Sequence, residues 1–154
     1  MRGFSLVELL TGLAIVSIVA AIALPGFSSL TARYQLTQGA HRVAFEVGRA
    51  RMKAIGENAY IRVRFTNATS SNPAPNQQGA AFWLEKSTDS GANYLADGAT
   101  QYLPNGTAFN SIPSAYLVFT RQGLTSQAAS ISIRNSTGST KTISVTTMGR
   151  VTVQ

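Results

Sequence analysis

The stretch Phe4–Leu24, FSLVELLTGLAIVSIVAAIAL, decides the fold, because it is the only long apolar run in a chain of 154 residues. One charged residue, Glu8, interrupts its 21 residues. A helix over this stretch would measure about 32 Å, roughly the thickness of the hydrocarbon core of a bilayer. Only Met1-Arg2-Gly3 precedes it, and Arg2 would hold that end in the cytoplasm by the positive-inside rule. The polar remainder is then expected across the membrane.

The carboxylate of Glu8 separates three interpretations of this helix. A secretory signal peptide could be cut after Ala21-Ile22-Ala23, releasing a β domain, and an ordinary membrane anchor would be equally long. A carboxylate inside an apolar helix costs a few kcal/mol on insertion scales unless it finds a partner, and neither segment has a use for it. The third interpretation is a helix that assembles with a partner for Glu8. The residues alone leave all three open.

The composition indicates no catalytic or metal chemistry. The chain has no cysteine and one histidine, His41, so thiol chemistry and histidine-rich zinc sites are not expected. Its acids form no persuasive general acid–base pair, and no glycine-rich phosphate loop follows a strand. Asp89 to Asn93, together with Asp97, offer oxygen atoms to calcium, but turn chemistry explains these residues equally well. We therefore expect a protein that is not an enzyme and that has no metal site and no cofactor.

A second amphipathic segment, residues 25–59, is predicted to continue the helix. Pro25-Gly26 is expected to kink the helix rather than end it, because helical periodicity resumes afterwards. Small and apolar residues recur at spacings of four and three: Leu36, Ala40, Val43, Val47, Ala50 and Ala54. Arg42/Glu46 and Lys53/Glu57 are predicted i,i+4 ion pairs on the other faces. The whole helix would run some 50 residues.

From Tyr60 the period changes to two, which predicts an antiparallel β head over residues 60–154. The fold class is therefore α+β, with a long N-terminal helix packed on a β-sandwich-like head. Strands are expected at 60–66, 80–86, 94–103, 107–112, 116–119, 130–134, 141–146 and 150–153.

The sequence Gly3-Phe4-Ser5-Leu6-Val7-Glu8, followed by the apolar run, resembles the class III signal of type IV pilins and type II secretion pseudopilins. The resemblance implies that residues 1–3 are a leader, which a prepilin peptidase cuts off between Gly3 and Phe4. It implies N-methylation of Phe4, a role in assembly and register for Glu8, and a helix kink at Pro25. Residues 4–24 would then be the transmembrane and assembly helix.

The head resembles those of GspH-type minor pseudopilins and of FimT- and FimU-type minor pilins. The resemblance rests on the F-x-x-x-G segment Phe119–Gly123 and on the closing Gly149–Val153. It implies a structural subunit of the tip or initiation complex of a type IV pilus or type II secretion pseudopilus. Its partners would be other pilin or pseudopilin subunits, and it would cross the bacterial inner membrane once with its head in the periplasm. The sequence does not choose between the two systems.

DNA binding for natural transformation is the alternative function. Residues 60–154 carry a net charge of +4, and Gly149-Arg150-Val151-Thr152 resembles the G-R-x-R element of FimT-like pilins, with Thr152 in place of the second arginine. No aromatic–basic stacking platform is evident in the sequence. Six basic side chains in the head could share a phosphate-binding face: Arg62, Arg64, Arg121, Arg134, Lys141 and Arg150. Of these, Arg121, Arg134, Lys141 and Arg150 are the predicted DNA contacts.

Overall fold

One continuous helix dominates the computed structural model, which describes residues 5–67, 79–89, 91–112 and 116–154. The helix α1 spans Leu6–Gly56, 51 residues, close to the predicted length. It continues through Pro25, so it does not end there, and the kink stays a prediction. The predicted cleavage and methylation site, Gly3 and Phe4, lies outside the described residues.

The C-terminus of α1 is closed by a left-handed turn at Asn58, whose φ is 47°. The Asn58 N–H donates to the Ile55 carbonyl at 3.4 Å, and the Ala59 N–H donates to the Ala54 carbonyl at 3.2 Å. These are the two bonds of a Schellman motif, and asparagine is one of the few residues that tolerate its left-handed position. The first strand therefore begins at once, at Tyr60.

The head contains nine strands among the described residues. They are β1 (Tyr60–Thr66), β2 (Ala81–Ser87), β3 (Leu95–Ala96), β4 (Gln101–Tyr102), β5 (Thr107–Ser111), β6 (Tyr116–Phe119), β7 (Ala129–Asn135), β8 (Thr140–Val145) and β9 (Val151–Val153). The single strand predicted over 94–103 is divided into β3 and β4. Both pair antiparallel with the same edge of β2, and the register shifts by two residues between them, around Gly98 with its φ of 111°.

These strands form two antiparallel sheets. The first sheet has the order β3-β2-β1-β6, with β4 also paired to β2, and the second has the order β5-β7-β8-β9. Phe109 of the second sheet meets Phe65 and Phe82 of the first in edge-to-face contacts, with ring centroids 5.6 and 6.4 Å apart. This confirms the expected α+β class, with an antiparallel, sandwich-like head.

The helix completes the core with the predicted stripe of small residues. All six members are at most 4% exposed: Leu36, Ala40, Val43, Val47, Ala50 and Ala54. They belong to the same buried cluster as Ile61 and Val63 of β1 and Ile131 and Ile143 of the second sheet. Because alanine and valine are short, the helix backbone can approach both sheets closely. The helix is thus a structural part of the head from about residue 32 onward.

Candidate assembly helix and basic faces of the head

The N-terminal part of α1 is apolar and entirely exposed. Every large apolar side chain between Leu6 and Ile22 is between 54% and 77% exposed. Its hydroxyl groups bond to the helix itself, since Thr11 donates to the Val7 carbonyl at 2.9 Å and Ser17 to the Leu13 carbonyl at 2.8 Å. Among the described residues α1 is the one helix long and apolar enough to cross a membrane. This segment needs an apolar environment that the head does not provide.

Glu8 lies in the first turn of this apolar segment. A carboxylate at this end of a helix is favoured by the helix dipole, which is positive there. Within the described ranges no basic side chain forms an ion pair with Glu8. In an apolar phase, a cation on another molecule is the kind of partner that would stabilise it.

The C-terminal half of α1 has a second apolar stripe, opposite the core stripe. At 100° per residue, Phe27, Tyr34, Phe45 and Met52 lie on one side of the helix and Val43 and Val47 lie on the other. The four outward side chains are 70–74% exposed, and Leu30 beside them is 65% exposed. Single exposed apolar side chains therefore continue along the helix past the head, interspersed with exposed polar ones such as His41 and Arg49.

Ion pairs fasten the last turns of α1 to the head. Lys53 lies 2.6 Å from the Asp97 carboxylate and 3.7 Å from Glu57, and Glu57 accepts a bond from Lys86 at 2.7 Å. The Lys86 ammonium is the main cause that lowers the pKa of Glu57. The predicted Lys53/Glu57 pair is thus part of a larger cluster that joins α1, β2 and the segment after β3.

The other predicted helix pair is replaced by a neighbouring one. The buried carboxylate of Glu46 pairs with Arg49 at 2.9 Å rather than with Arg42. Both spacings, i,i+3 and i,i+4, place charges on adjacent turns, so the sequence alone did not distinguish them.

Two glycine turns meet the helix near its end. A Cβ on Gly149 would lie 2.4 Å from the Gly123 carbonyl oxygen, and Gly149 has a φ of 74°. The Arg51 side chain lies against both turns and donates to the Gly123 carbonyl at 3.1 Å. Only glycine fits here, so the F-x-x-x-G and closing G-R segments form one structural junction.

The four predicted DNA contacts do not converge on one face. Lys141 pairs in register with buried Ile133, so it lies on the helix side of the second sheet, whereas Arg134 lies on the outer side. Arg150 is also on the outer side but some six residues along the strands from Arg134, about 20 Å away. Arg121 lies in the turn after β6, with its guanidinium 5.3 Å from the centroid of the Tyr60 ring.

The acidic loop after β2 is explained by turn chemistry. The Asp89 carboxylate accepts bonds from the Ser87 hydroxyl at 2.6 Å and from the Asn93 side-chain amide at 2.6 Å. These bonds, the Ser87 hydroxyl first, lower the pKa of Asp89 to about 2. Asp97 is held by Lys53, and His41 is exposed on the helix. No group of three potential metal ligands occurs among the described residues.

An aromatic–arginine face, which sequence reasoning missed, covers the outer side of the first sheet. We define it by six residues: Arg62, Arg64, Trp83, Glu85, Tyr94 and Tyr116. The Arg62 guanidinium lies 4.0 Å from the centroid of the Tyr94 ring and 5.2 Å from that of Tyr116, and Arg64 lies 5.9 Å from Trp83. These are cation–π distances. The only sequence signal was the alternation of Arg62 and Arg64 with buried residues in β1.

Glu85 lies beneath the other side chains of this face and contacts three of them. Its carboxylate is 10% exposed, pairs with Arg62, accepts a bond from the Trp83 indole at 2.8 Å and lies 3.9 Å from Arg64. Because one acid holds two arginines, the face keeps a net positive charge. Burial is the main cause that raises the pKa of the Tyr94 phenol above its ordinary value.

Comparisons with known proteins agree with this architecture. Residues 1–24 match the family model for the prokaryotic N-terminal methylation motif. Over 158 aligned positions the chain is 27% identical to the pilin-like protein PilA1 of Thermus thermophilus, covering 99% of this chain and 98% of that protein.

Two solved structures share the fold. The type IV minor pilin FimU of Pseudomonas aeruginosa superposes with a TM-score of 0.59 at 14% identity, over 81% of this chain and 92% of that one. The minor pseudopilin EpsH from the type 2 secretion system of Vibrio cholerae gives 0.57 at 11% identity, over 78% and 96%. At such identities the likeness shows the fold alone.

Proposed function

We propose that this chain belongs to the type IV pilin and pseudopilin family, which its similarities support, and that it is a minor subunit of the tip or initiation complex of its filament. One observation carries the filament role. A single helix of 51 residues is bound to its own head along one stripe of its second half, and its first half is apolar and exposed on every side. A free monomer would keep that surface in the membrane. A filament would cover it with helices of neighbouring subunits.

The N-terminus supplies the chemistry of assembly in this proposal. Prepilin peptidase would cut between Gly3 and Phe4 and methylate the new amine of Phe4. That amine is a cation at the membrane face, and Glu8 of a neighbouring subunit would neutralise it. Two charges that are costly in an apolar phase would become one ion pair, which sets the axial register between subunits. The kink at Pro25 would let the two halves of the helix take different directions. The helix would cross the inner membrane once, with the head in the periplasm.

Processing is tested by intact mass and N-terminal sequencing of the protein from native membranes. We expect a mature chain that starts at N-methyl-Phe4, and we expect Gly3→Ala to leave the full-length precursor. Gly12→Ala, also in the apolar segment, is the matched control and should be processed normally. A chain that starts at Leu24 would mean cleavage after Ala23 by an ordinary signal peptidase and would overturn the filament proposal.

Assembly is tested by Glu8→Ala in cells that produce the whole machine. We expect normal processing but at least a tenfold lower yield in sheared filaments, because the Phe4 amine keeps no partner. Thr11→Val keeps the side-chain shape, changes no charge and removes a hydroxyl that bonds to its own helix, so it should assemble normally. Normal incorporation of Glu8→Ala would exclude the ion-pair account.

The minor role is tested by counting copies in purified filaments with isotope-labelled peptide standards. We expect about ten copies or fewer per filament, and loss of filament initiation when the gene is deleted. A copy number equal to that of the bulk subunit would overturn the minor role but leave membership in the filament intact.

DNA capture is the second candidate function. The net charge of +4 on residues 60–154 favours it, because phosphate backbones bind to clustered basic side chains. Arg150, Arg134, Lys141 and Arg121 remain its predicted contacts, although they lie on separate surfaces of the head. A mobility-shift titration with duplex DNA tests it. Arg150→Ala should weaken binding and flatten the salt dependence, and no binding by the unaltered protein would exclude it.

A further inference from the structure

We propose that the aromatic–arginine face of the first sheet is a binding platform for single-stranded nucleic acid. The proposal deepens the second proposed function, DNA capture, and does not depend on how the subunit assembles. It assigns binding to Arg62, Arg64, Trp83, Tyr94 and Tyr116 rather than to the four scattered basic residues named above.

The placement of the face makes it accessible from outside. Ile61, Val63 and Phe65 of β1 point into the core with the helix stripe, so Arg62 and Arg64 point to the opposite side. Tyr116 as a whole residue is 45% exposed, and the Arg64 side chain is 44% exposed. The outer side of the first sheet therefore presents rings and guanidinium groups together, away from the assembly helix.

The geometry suits unpaired bases rather than a duplex. Trp83 and Tyr116 flank Arg64 on the two neighbouring strands, which places their backbones about 10 Å apart. Base faces can stack on such rings and on flat guanidinium groups, but in a duplex those faces are already stacked. The Glu85 carboxylate accepts a hydrogen bond from the Trp83 indole and pairs with Arg62. It therefore holds both side chains in place before a ligand arrives.

Charge complementarity selects an anionic ligand. The two positive charges of Arg62 and Arg64 exceed the single negative charge of buried Glu85 by one. Arg121, which lies over the Tyr60 ring, extends the basic surface past the end of β6. Asp89 and Arg121 both lie at the Tyr60 end of β1, on its β2 side and its β6 side, whereas Arg64 lies toward the other end of the strand. A strand of phosphates would therefore follow Arg62 and Arg64 and keep to the side of the face away from Asp89.

The first experiment uses the full chain in detergent micelles and the intrinsic fluorescence of Trp83, the only tryptophan. The probe is a 12-nucleotide oligothymidylate, compared with a 12-base-pair duplex. We expect saturable quenching by the single strand at 50 mM salt and at least tenfold weaker binding of the duplex. Equal affinity for the duplex would overturn the single-strand assignment.

Matched variants locate the site by fluorescence anisotropy of a labelled oligothymidylate. Tyr116→Ala should weaken binding roughly 5- to 150-fold, whereas Tyr116→Phe keeps the ring and should bind normally. Arg64→Ala should weaken binding and lower the salt slope by roughly 0.7. Arg33→Ala removes an exposed arginine from α1, outside the face and outside the four other predicted contacts, and should change nothing. Circular dichroism checks that each variant is folded.

The outcomes separate this inference from the proposed functions. If Arg150→Ala abolishes binding while Tyr116→Ala and Arg64→Ala bind normally, the platform is overturned and DNA capture stands. If neither the oligothymidylate nor the duplex binds, the platform and DNA capture are both overturned, and the assembly role is untouched. Quenching of Trp83 by a neutral oligosaccharide but not by the oligonucleotide would overturn the proposal in favour of a glycan site.

Discussion

The two halves of α1 have the same secondary structure and opposite surroundings. Residues 6–22 are exposed on every side, whereas the half from about residue 32 to Gly56 buries one stripe completely in the head. Two valines show the contrast, since Val16 is 64% exposed and Val47 is fully buried. The difference teaches that the second half belongs to the stability of the head, while the first half serves contacts that only a membrane or other subunits can provide.

The sharpest test of this comparison places one charge in each half. Val47→Asp would bury an unpaired carboxylate in the core, so we expect a loss of more than 4 kcal/mol and an unfolded head. Val16→Asp should leave the head folded but cost about 2.5–3.5 kcal/mol of membrane insertion. Trp83 fluorescence reports head unfolding, and carbonate extraction of membranes reports insertion. A folded head in Val47→Asp would contradict the division.

A pair of phenylalanines extends the comparison from the helix to the sheets. Phe109 is 1% exposed and joins the two sheets, so Phe109→Ala should lower the free energy of unfolding by about 3–5 kcal/mol. Phe45 is 73% exposed on the outward stripe, so Phe45→Ala should change stability by less than about 0.5 kcal/mol while lowering filament yield. Urea unfolding of both variants in micelles measures this. Equal destabilisation would mean that the outward stripe supports the head itself.

Glycines give a third pair, with a smaller effect. Gly149→Ala would force a Cβ against the Gly123 carbonyl at a positive φ, so we expect a loss of about 1–3 kcal/mol. Gly12 has nothing within 4 Å of its Cβ position, and Gly12→Ala should stabilise the helix by up to about 1 kcal/mol. Thermal midpoints of head unfolding should fall for the first variant and stay unchanged for the second. An unchanged midpoint in Gly149→Ala would show that the junction relaxes.

Most of the correct predictions from the sequence came from the local periodicity of apolar residues. The spacing of Leu36 to Ala54 identified the buried stripe because a helix repeats its faces every few residues, and alternation identified β1 and β7. The aromatic–arginine face was missed because its members come from β1, β2, β6 and the loop before β3. Cross-strand register brings Arg62, Tyr94 and Tyr116 together, and no local pattern encodes that register.

The smallest expected effect is a pH dependence confined to the head. Hydrogen bonds from Ser87 and Asn93 lower the pKa of Asp89 from 3.8 to about 2. The stability from this loop is therefore present above pH 4 and is lost as the pH falls toward 2. Asp89→Asn should have a lower thermal midpoint than the unaltered protein at pH 5, with the difference vanishing by pH 2. Glu8→Gln, in the exposed half of the helix, should follow the unaltered curve for head unfolding throughout. If Asp89→Asn kept its deficit at pH 2, the loss would come from packing in the loop, and if Glu8→Gln shifted the curve, the two halves of the helix would not be independent.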